Sequence, residues 1–334
     1  MSLKKLAQSL GLSPTTVSRA LNGYPEVNAR TRQLVLEAAG RYGYHANPTA
    51  RRLALGRTDT IGWVYPLDSP LISDASFLQT IAGVTERLAQ EGIDFHLIAA
   101  RPGAELGTYE RLVQGRLVDG LVVAHTRVED ARIDYLHGQG FPFVAYGRTQ
   151  APSASHSWFD LDNACGAQLA VDHLVALGVR EIAYLYDDLA LNFSFQRLQG
   201  FRHAMAQHGL ELPEAWVRAT GDARRSGYDA ARALLQLAPR LQALIVDNRL
   251  AGIGALHAAA DCRLSVGQDL QVEIFGGVPP DTIVASPAVI AVELSSAARI
   301  GAQLAELVMH AVHTPTAPAR QTLWRPRIVA PTTP

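Results

Sequence analysis

The stretch "SLKKLAQSLGLSPTTVSRALNG", residues 2–23, decides how the chain begins. Leu3, Leu6, Ala7 and Leu10 recur at i, i+3, i+4 and i+7, the spacing of one buried helix stripe. Gly11 stands where a helix ends, Ser13 is a good N-cap, and Pro14 suits a first helical turn that needs no N–H. A second helix then buries Val17, Ala20 and Leu21. The pattern predicts helix, short glycine turn, helix.

Further along, "NARTRQLVLEAAGRYGY" predicts a third helix over about Asn28 to Tyr42, with Val35, Leu36 and Ala39 inward. The second helix turns Thr15, Thr16, Ser18, Arg19 and Asn22 outward, short donors and acceptors around one arginine and no acid. Charge sharpens this. Residues 1–57 hold nine Lys or Arg against two acids, net +7, which leaves 21 bases against 29 acids, net −8, in the rest. A basic helical head on an acidic body suits a polyanion at the head. Short side chains let a helix approach the floor of a major groove, and arginine matches the guanine edge bidentately.

The runs "VSRALNG", "GYHANPTARRL" and "TDTIG" stand in order between residues 17 and 62. With them the chain resembles the LacI/GalR family of bacterial transcription regulators. A fainter likeness, in "LGLSPTTVSRALNGYPEV", is to members of that family controlling α-glucoside uptake. The resemblance extends the DNA-facing set to Ser13, Pro14, Asn28, Thr31, Tyr44 and Asn47. It also implies that "NPTARRLAL" forms a hinge helix when paired with its twin on DNA, Leu53 wedging between base pairs in the minor groove and Ala50 near its floor. So short a helix is marginal alone in water.

From Thr60 the pattern changes to apolar strand-like runs, "TIGWVYP", "DFHLIAA", "VDGLVVAH", "PFVAYGR", "REIAYLYDD", "WVRATG", "ALIVDN" and "VEIFGG", with helical stretches between them. That alternation predicts parallel sheets with crossover helices, in two successive sets. The resemblance implies a periplasmic-binding-protein-like body of two parallel-sheet lobes behind an all-α helix-turn-helix head. The expected boundaries are a head at 1–45, a hinge at 46–57, a first lobe at 58–160 and 291–321, and a second lobe at 161–290 and 322–334. The final "TLWRPRIVAP" is expected to add a strand to the second lobe.

Ligands of such folds sit at the carboxyl ends of the strands. Asp247 ends the apolar run "LIVD", a suitable place for a ligand-facing acid. The resemblance implies Arg197 of "RLQGF" as an effector contact, with Asp74 and Phe77 of "SDASFLQTIAG" facing the same ligand. Arg148 and Trp158 are weaker candidates, since "YGR" and "SWFD" would also serve for packing or for contacts between the lobes. Two departures from the family pattern stand out. The usual Asn-Asp pair is Asn248-Arg249, and the usual Phe-Asp is Gly277-Val278. Arg249 leaves two readings open: a contact to a carboxylated or phosphorylated sugar, or a pair with Asp247.

The function expected is a ligand-responsive repressor that binds palindromic double-stranded operator DNA as a homodimer, with a sugar or sugar derivative as small-molecule effector. The rival is a carbohydrate-binding protein or sugar-active enzyme without a regulatory role. The sequence has no Walker loop, no G-x-S-x-G, no H-E-x-x-H, and no G-x-G-x-x-G after the first strand; Gly252 and Gly254 lie in a helical stretch. Two distant cysteines, Cys165 and Cys262, suggest neither disulfides nor zinc. No cofactor, metal, catalytic role or membrane partner is expected, and the location is expected to be cytoplasmic.

Overall fold

A computed structural model describes residues 2–21, 24–44, 56–67, 74–101, 103–150, 156–278, 282, 289–293 and 295–329. The chain divides into two compact units, 1–59 and 60–334.

The first unit holds three helices, α1 (Leu3–Ser9), α2 (Pro14–Leu21) and α3 (Ala29–Arg41). The Ser2 side chain caps α1 by accepting from the Lys5 amide, and Gly11, at φ +64°, makes the turn that follows. Ser13 Oγ accepts the Thr16 amide at 3.0 Å and lies 2.8 Å from the Thr16 hydroxyl, which fixes the start of α2. Leu6, Ala7, Val17, Ala20, Val35 and Ala39 close the core. Leu36 corrects the sequence reading: it is 47% exposed, and Ala38 takes the inward position. Val35, Ala38 and Ala39 already fill the i, i+3, i+4 stripe, which leaves no room for a fourth side chain on it.

The second unit is two lobes. The first sheet runs in the order β11-β5-β4-β3-β1-β2, built from β1 (Thr60–Pro66), β2 (Asp94–Ala100), β3 (Gly120–Ala124), β4 (Phe143–Tyr146), β5 (Ser157–Leu161) and β11 (Gln321–Trp324), every pairing parallel. One face is covered by α4 (Ala75–Ala89) and α11 (Ala297–His313), the other by α5 (Glu105–Gln114) and α6 (Ala131–Gly138). The second sheet runs β12-β10-β9-β8-β6-β7: β6 (Ile182–Tyr186), β7 (Val217–Ala219), β8 (Ala243–Val246), β9 (Gln271–Phe275), β10 (Ile290–Glu293) and the antiparallel β12 (Arg327–Val329). Its faces are covered by α7 (Asn163–Ala176) with α8 (Asn192–Gln207), and by α9 (Arg224–Leu237) with α10 (Arg249–Asp261). Strands covered on both faces need apolar residues on both, which is why β3 reads "GLVVA" and is buried throughout.

The helix pairs meet backbone to backbone at glycines. A Cβ on Gly254 of α10 would lie 2.0 Å from the Arg224 carbonyl oxygen, and one on Gly227 of α9 would lie 2.3 Å from the Ala251 oxygen. Gly83 and Gly301 bring α4 and α11 together in the same way: a Cβ on either would lie 2.1 Å from a facing carbonyl oxygen.

The chain passes between the lobes three times: from β5 into α7, from β10 into α11, and from β11 into β12. This corrects the expected boundaries. The terminal segment gives a strand to each sheet, because Trp324 packs edge-on against Phe159 in the first-lobe core at 4.8 Å and so draws "QTLW" there. The passages accordingly fall after Leu161, after Glu293 and between Trp324 and Arg327.

Candidate functional site

In the first unit, α2 presents Pro14, Thr15 and Arg19 exposed, with Thr16 and Ser18 half-buried beside them. Asn28 is exposed and its side chain caps α3 by accepting the Thr31 amide at 2.8 Å, while Tyr44 packs partly against the three-helix core. Arg32 does a structural job, donating to the Tyr24 carbonyl at 2.7 Å across the turn before α3. Asn22 at the end of the second helix lies outside the described residues, as do Asn47, Ala50 and Leu53 with the expected hinge helix.

In the second unit a cleft of about 280 Å³ opens where the strands of both sheets end. The residue after each strand supplies a wall: His125 after β3, Gly147 after β4, Asp187 after β6, Asp247 after β8 and Gly276 after β9. Trp63, Phe77 and Tyr146 form an aromatic floor in the first lobe, Trp63 meeting Phe77 edge-on at 5.7 Å.

Arg197 lies at the cleft and is only 6% exposed. It donates from Nε to Asn163 Oδ1 at 2.8 Å and from Nη1 to the Asp247 carbonyl. Its guanidinium is held between the rings of Phe193 at 4.8 Å and Phe275 at 4.2 Å, where cation–π attraction replaces lost hydration. Asp247 is wholly buried; its Oδ2 accepts from Ser194 Oγ at 2.7 Å, and its Oδ1 has no partner among the described residues. Burial raises the Asp247 pKa and nearby Arg197 opposes the rise. An acceptor left unpaired in a dry site is costly unless a ligand hydroxyl meets it.

Asp187 is pushed up to about 7, first by burial and then by the charges of Asp247 and Asp222. A raised carboxyl binds its proton more tightly folded than unfolded, so this group lowers stability as pH rises from about 4 to about 7. Urea unfolding of the ligand-free protein at pH 5 to 8, compared with Asp187→Asn, should show the wild type losing on the order of 2 kcal/mol relative to the variant across that range. Equal pH profiles for the two proteins would refute it.

Five of the sequence candidates line this cleft together: Asp74, Phe77, Arg197, Asp247 and Arg249. Arg148 and Trp158 stand beside it. Arg148 donates to Asp160 at 2.7 Å within its lobe and to Gln196 on α8 at 3.3 Å across to the other, and it lies 5.6 Å over the Trp158 ring. These are the lobe contacts that the sequence left open as an explanation. Arg249 pairs not with Asp247 but with Asp74, donating from Nη1 at 3.1 Å.

Sequence reasoning passed over His125, Asp187, Asp222, Asn163, Phe193 and Phe275. His125 takes a left-handed φ of +49°, and its carbonyl accepts from Arg132 Nη2 at 2.9 Å. Arg132 is itself locked by Asp130 at 2.7 Å and Glu105 at 2.9 Å. Burial, then the Arg132 charge, lowers the His125 pKa to about 4, so a neutral imidazole faces the cleft near pH 7. Among the described residues no group of His, Cys, Asp or Glu is arranged to hold a metal ion, and no helix is long and apolar enough to cross a membrane.

Residues 2–47 match the family described as bacterial regulatory proteins, lacI family, and residues 58–327 match the periplasmic binding proteins and sugar binding domain of that family. The chain belongs to the LacI family. Its LacI-family relatives include the HTH-type transcriptional regulator RafR of Escherichia coli, 38% identical over 327 residues that cover 98% of this chain and 96% of RafR. The HTH-type transcriptional regulator AglR of Rhizobium meliloti is 34% identical over 333 residues, covering 98% and 93%. Among solved structures, a complex of the transcriptional regulator CelR with cellobiose is 27% identical with a TM-score of 0.74, covering 100% of both chains. The LacI-family assignment makes the first unit a DNA-binding head and the second a body of the sugar-binding type, so the chain is a transcriptional regulator.

Proposed function

We propose that this LacI-family regulator is a cytoplasmic repressor that holds a palindromic operator as a homodimer and takes a neutral sugar in its cleft. The observation that carries the ligand reading is Asp247, a buried carboxylate with an unpartnered oxygen at the cleft wall. Hydroxyls are the donors it needs, and the aromatic floor suits the apolar face of a sugar ring. The commitment of Arg249 to Asp74 argues against the carboxylated or phosphorylated sugar that its sequence position also allowed. The cellobiose complex of CelR supports a disaccharide. For the dimer, the support is β2, an edge strand beside which Leu97 is 38% and Leu78 of α4 is 51% exposed, apolar surface that a second copy would cover. The relatives' names as transcriptional regulators support a role without catalysis.

The test is selection of bound duplexes from a randomised DNA pool by the full-length protein, followed by titration of the complex with α- and β-linked glucose disaccharides. The expected result is an enriched palindrome whose affinity changes with one sugar, recovered unaltered. Arg19→Ala should weaken the selected site by about tenfold to a hundredfold, the loss of one bidentate base contact, and relax the preference at one base pair. A sugar recovered as product would identify a sugar-active enzyme. A sugar bound with no DNA selected in its presence or absence would identify a carbohydrate-binding protein.

A further inference from the structure

Arg249 and Gly277, one residue from each of the two departures from the family pattern, meet in one arrangement together with Gly276. Arg249 begins α10 in the second lobe. Its Nη2 donates to the Gly276 carbonyl at 2.6 Å, and its Nε donates to the carbonyls of Gly276 at 3.1 Å and Gly277 at 3.3 Å. Both glycines have positive φ, +80° and +65°, which turns their carbonyls toward the guanidinium. A Cβ at position 276 would lie 2.7 Å from Arg249 Nη2, so a side chain there would evict the arginine. The seat aims the remaining nitrogen, Nη1, at the other lobe, where it donates to Asp74 Oδ1 at 3.1 Å and to the Ser76 hydroxyl. Asp74 is meanwhile the N-cap of α4, accepting the Ser76 amide at 2.9 Å.

We propose that Arg249 is a specificity-determining strap of the ligand cleft. It ties the two lobes together at the start of α4 without a ligand, and it withdraws Asp74 and Ser76 from the ligand's reach. Recognition of the ligand's hydroxyls then falls to the second-lobe carboxylates Asp187 and Asp247. Three observations support it. The strap lines the cleft, so it bounds the space a ligand occupies. The guanidinium is anchored to backbone on its own side, so what it reaches across to is fixed by the fold rather than by a flexible stem. The pair is mostly shielded, with side-chain exposures of 18% for Arg249 and 24% for Asp74, so water competes weakly for it. The remaining polar bridges between the lobes include Asn192 to the Arg148 carbonyl and Arg148 to Gln196, whose acceptors are uncharged.

The inference deepens the cleft reading above, but its test needs neither sugar nor DNA, so either idea can fail alone. In the full-length chain with Cys165→Ser and Cys262→Ser, spin labels are attached through Gln114→Cys on α5 and Arg225→Cys on α9, both exposed and outside the cleft. Labelled chain is diluted with unlabelled chain, and the distance distribution is measured by pulsed dipolar spectroscopy without ligand. The expected result is one narrow distribution for this background. Arg249→Ala and Asp74→Asn should each add a second, shifted population, with the open-to-closed ratio rising about tenfold, the scale of one charge-assisted hydrogen bond. The double variant should open no further than Arg249→Ala alone, because Asp74 reaches the other lobe only through Arg249, whose loss also removes the bond to Ser76. Asp74→Asn keeps an N-cap side chain on α4 and so guards against a mere folding defect. A distribution that is already broad before substitution, or one that Asp74→Asn leaves unchanged, would overturn the strap.

Discussion

Replacing Arg197 with alanine should cost the body about 3–5 kcal/mol, the penalty for removing one partner from a buried, paired set of charges. The loss has three sources. The guanidinium leaves a gap between Phe193 and Phe275, Asn163 and the Asp247 carbonyl lose a donor, and the Asp247 carboxylate loses its nearest cation. Burial already raises the Asp247 pKa with Arg197 opposing it, so removing the arginine raises it further. An acid whose folded pKa rises above its unfolded value destabilises as pH rises through that interval. The deficit of Arg197→Ala against wild type should therefore be smaller at pH 5 than at pH 8. Denaturant unfolding at both values reads it directly; a deficit independent of pH would mean that packing alone, and not the charge on Asp247, accounts for the loss. Arg197→Met keeps an unbranched side chain between the two rings and separates the terms: it should recover packing but not the pH dependence. At temperatures where the variant stays folded, DNA affinity should match wild type while the response to sugar is lost.

Gly254→Ala should be as damaging, although alanine is the better helix former by about 1 kcal/mol. The added methyl meets the Arg224 carbonyl oxygen at 2.0 Å and the Tyr228 amide nitrogen at 2.6 Å, both backbone atoms of α9. Backbone cannot swing aside as a side chain does, so the helices must separate, and the core that α9 and α10 share with the second sheet loosens. A loss of about 3 kcal/mol or more is expected. Gly107→Ala in α5 is the control, because nothing lies within 4 Å of its Cβ position. There the propensity term acts alone and stability should rise by up to about 1 kcal/mol. Thermal unfolding of the two variants beside wild type should thus give shifts of opposite sign; two shifts of the same sign would show that close approach does not govern the α9–α10 pair.

The body's architecture was legible because the inner strands, covered on both faces, must be apolar runs, and with the edge strands β2 and β7 eight strand-like runs stand out between Thr60 and Gly277. The short β5 did not, since "SWFDL" places a serine at one end and an aspartate inside the run. The split of the terminal segment between sheets depended on where Trp324 found an aromatic partner, which no local pattern encodes. In the cleft, the rule that an acid follows an apolar strand located Asp247, and the same rule applied to "YLYDD" would have located Asp187. The role of Arg249 was beyond local reading, because its partner Asp74 lies 175 residues away in sequence. Gly252 and Gly254 are packing glycines of two kinds: a Cβ on Gly252 would meet the Ile274 side chain of β9 at 2.7 Å, and one on Gly254 would meet the backbone of α9. Only the neighbours distinguish the two uses.

The three passages between the lobes are short: one residue separates β5 from α7, three separate β10 from α11, and two separate β11 from β12. Three connections this short act like the knuckles of a door hinge, resisting sliding and twist more than rotation of one lobe against the other. The opening angle is therefore the coordinate these connections restrain least. Any ligand, strap or substitution that biases the lobes speaks mostly through that angle, so the body can signal how much but has little means of signalling what kind.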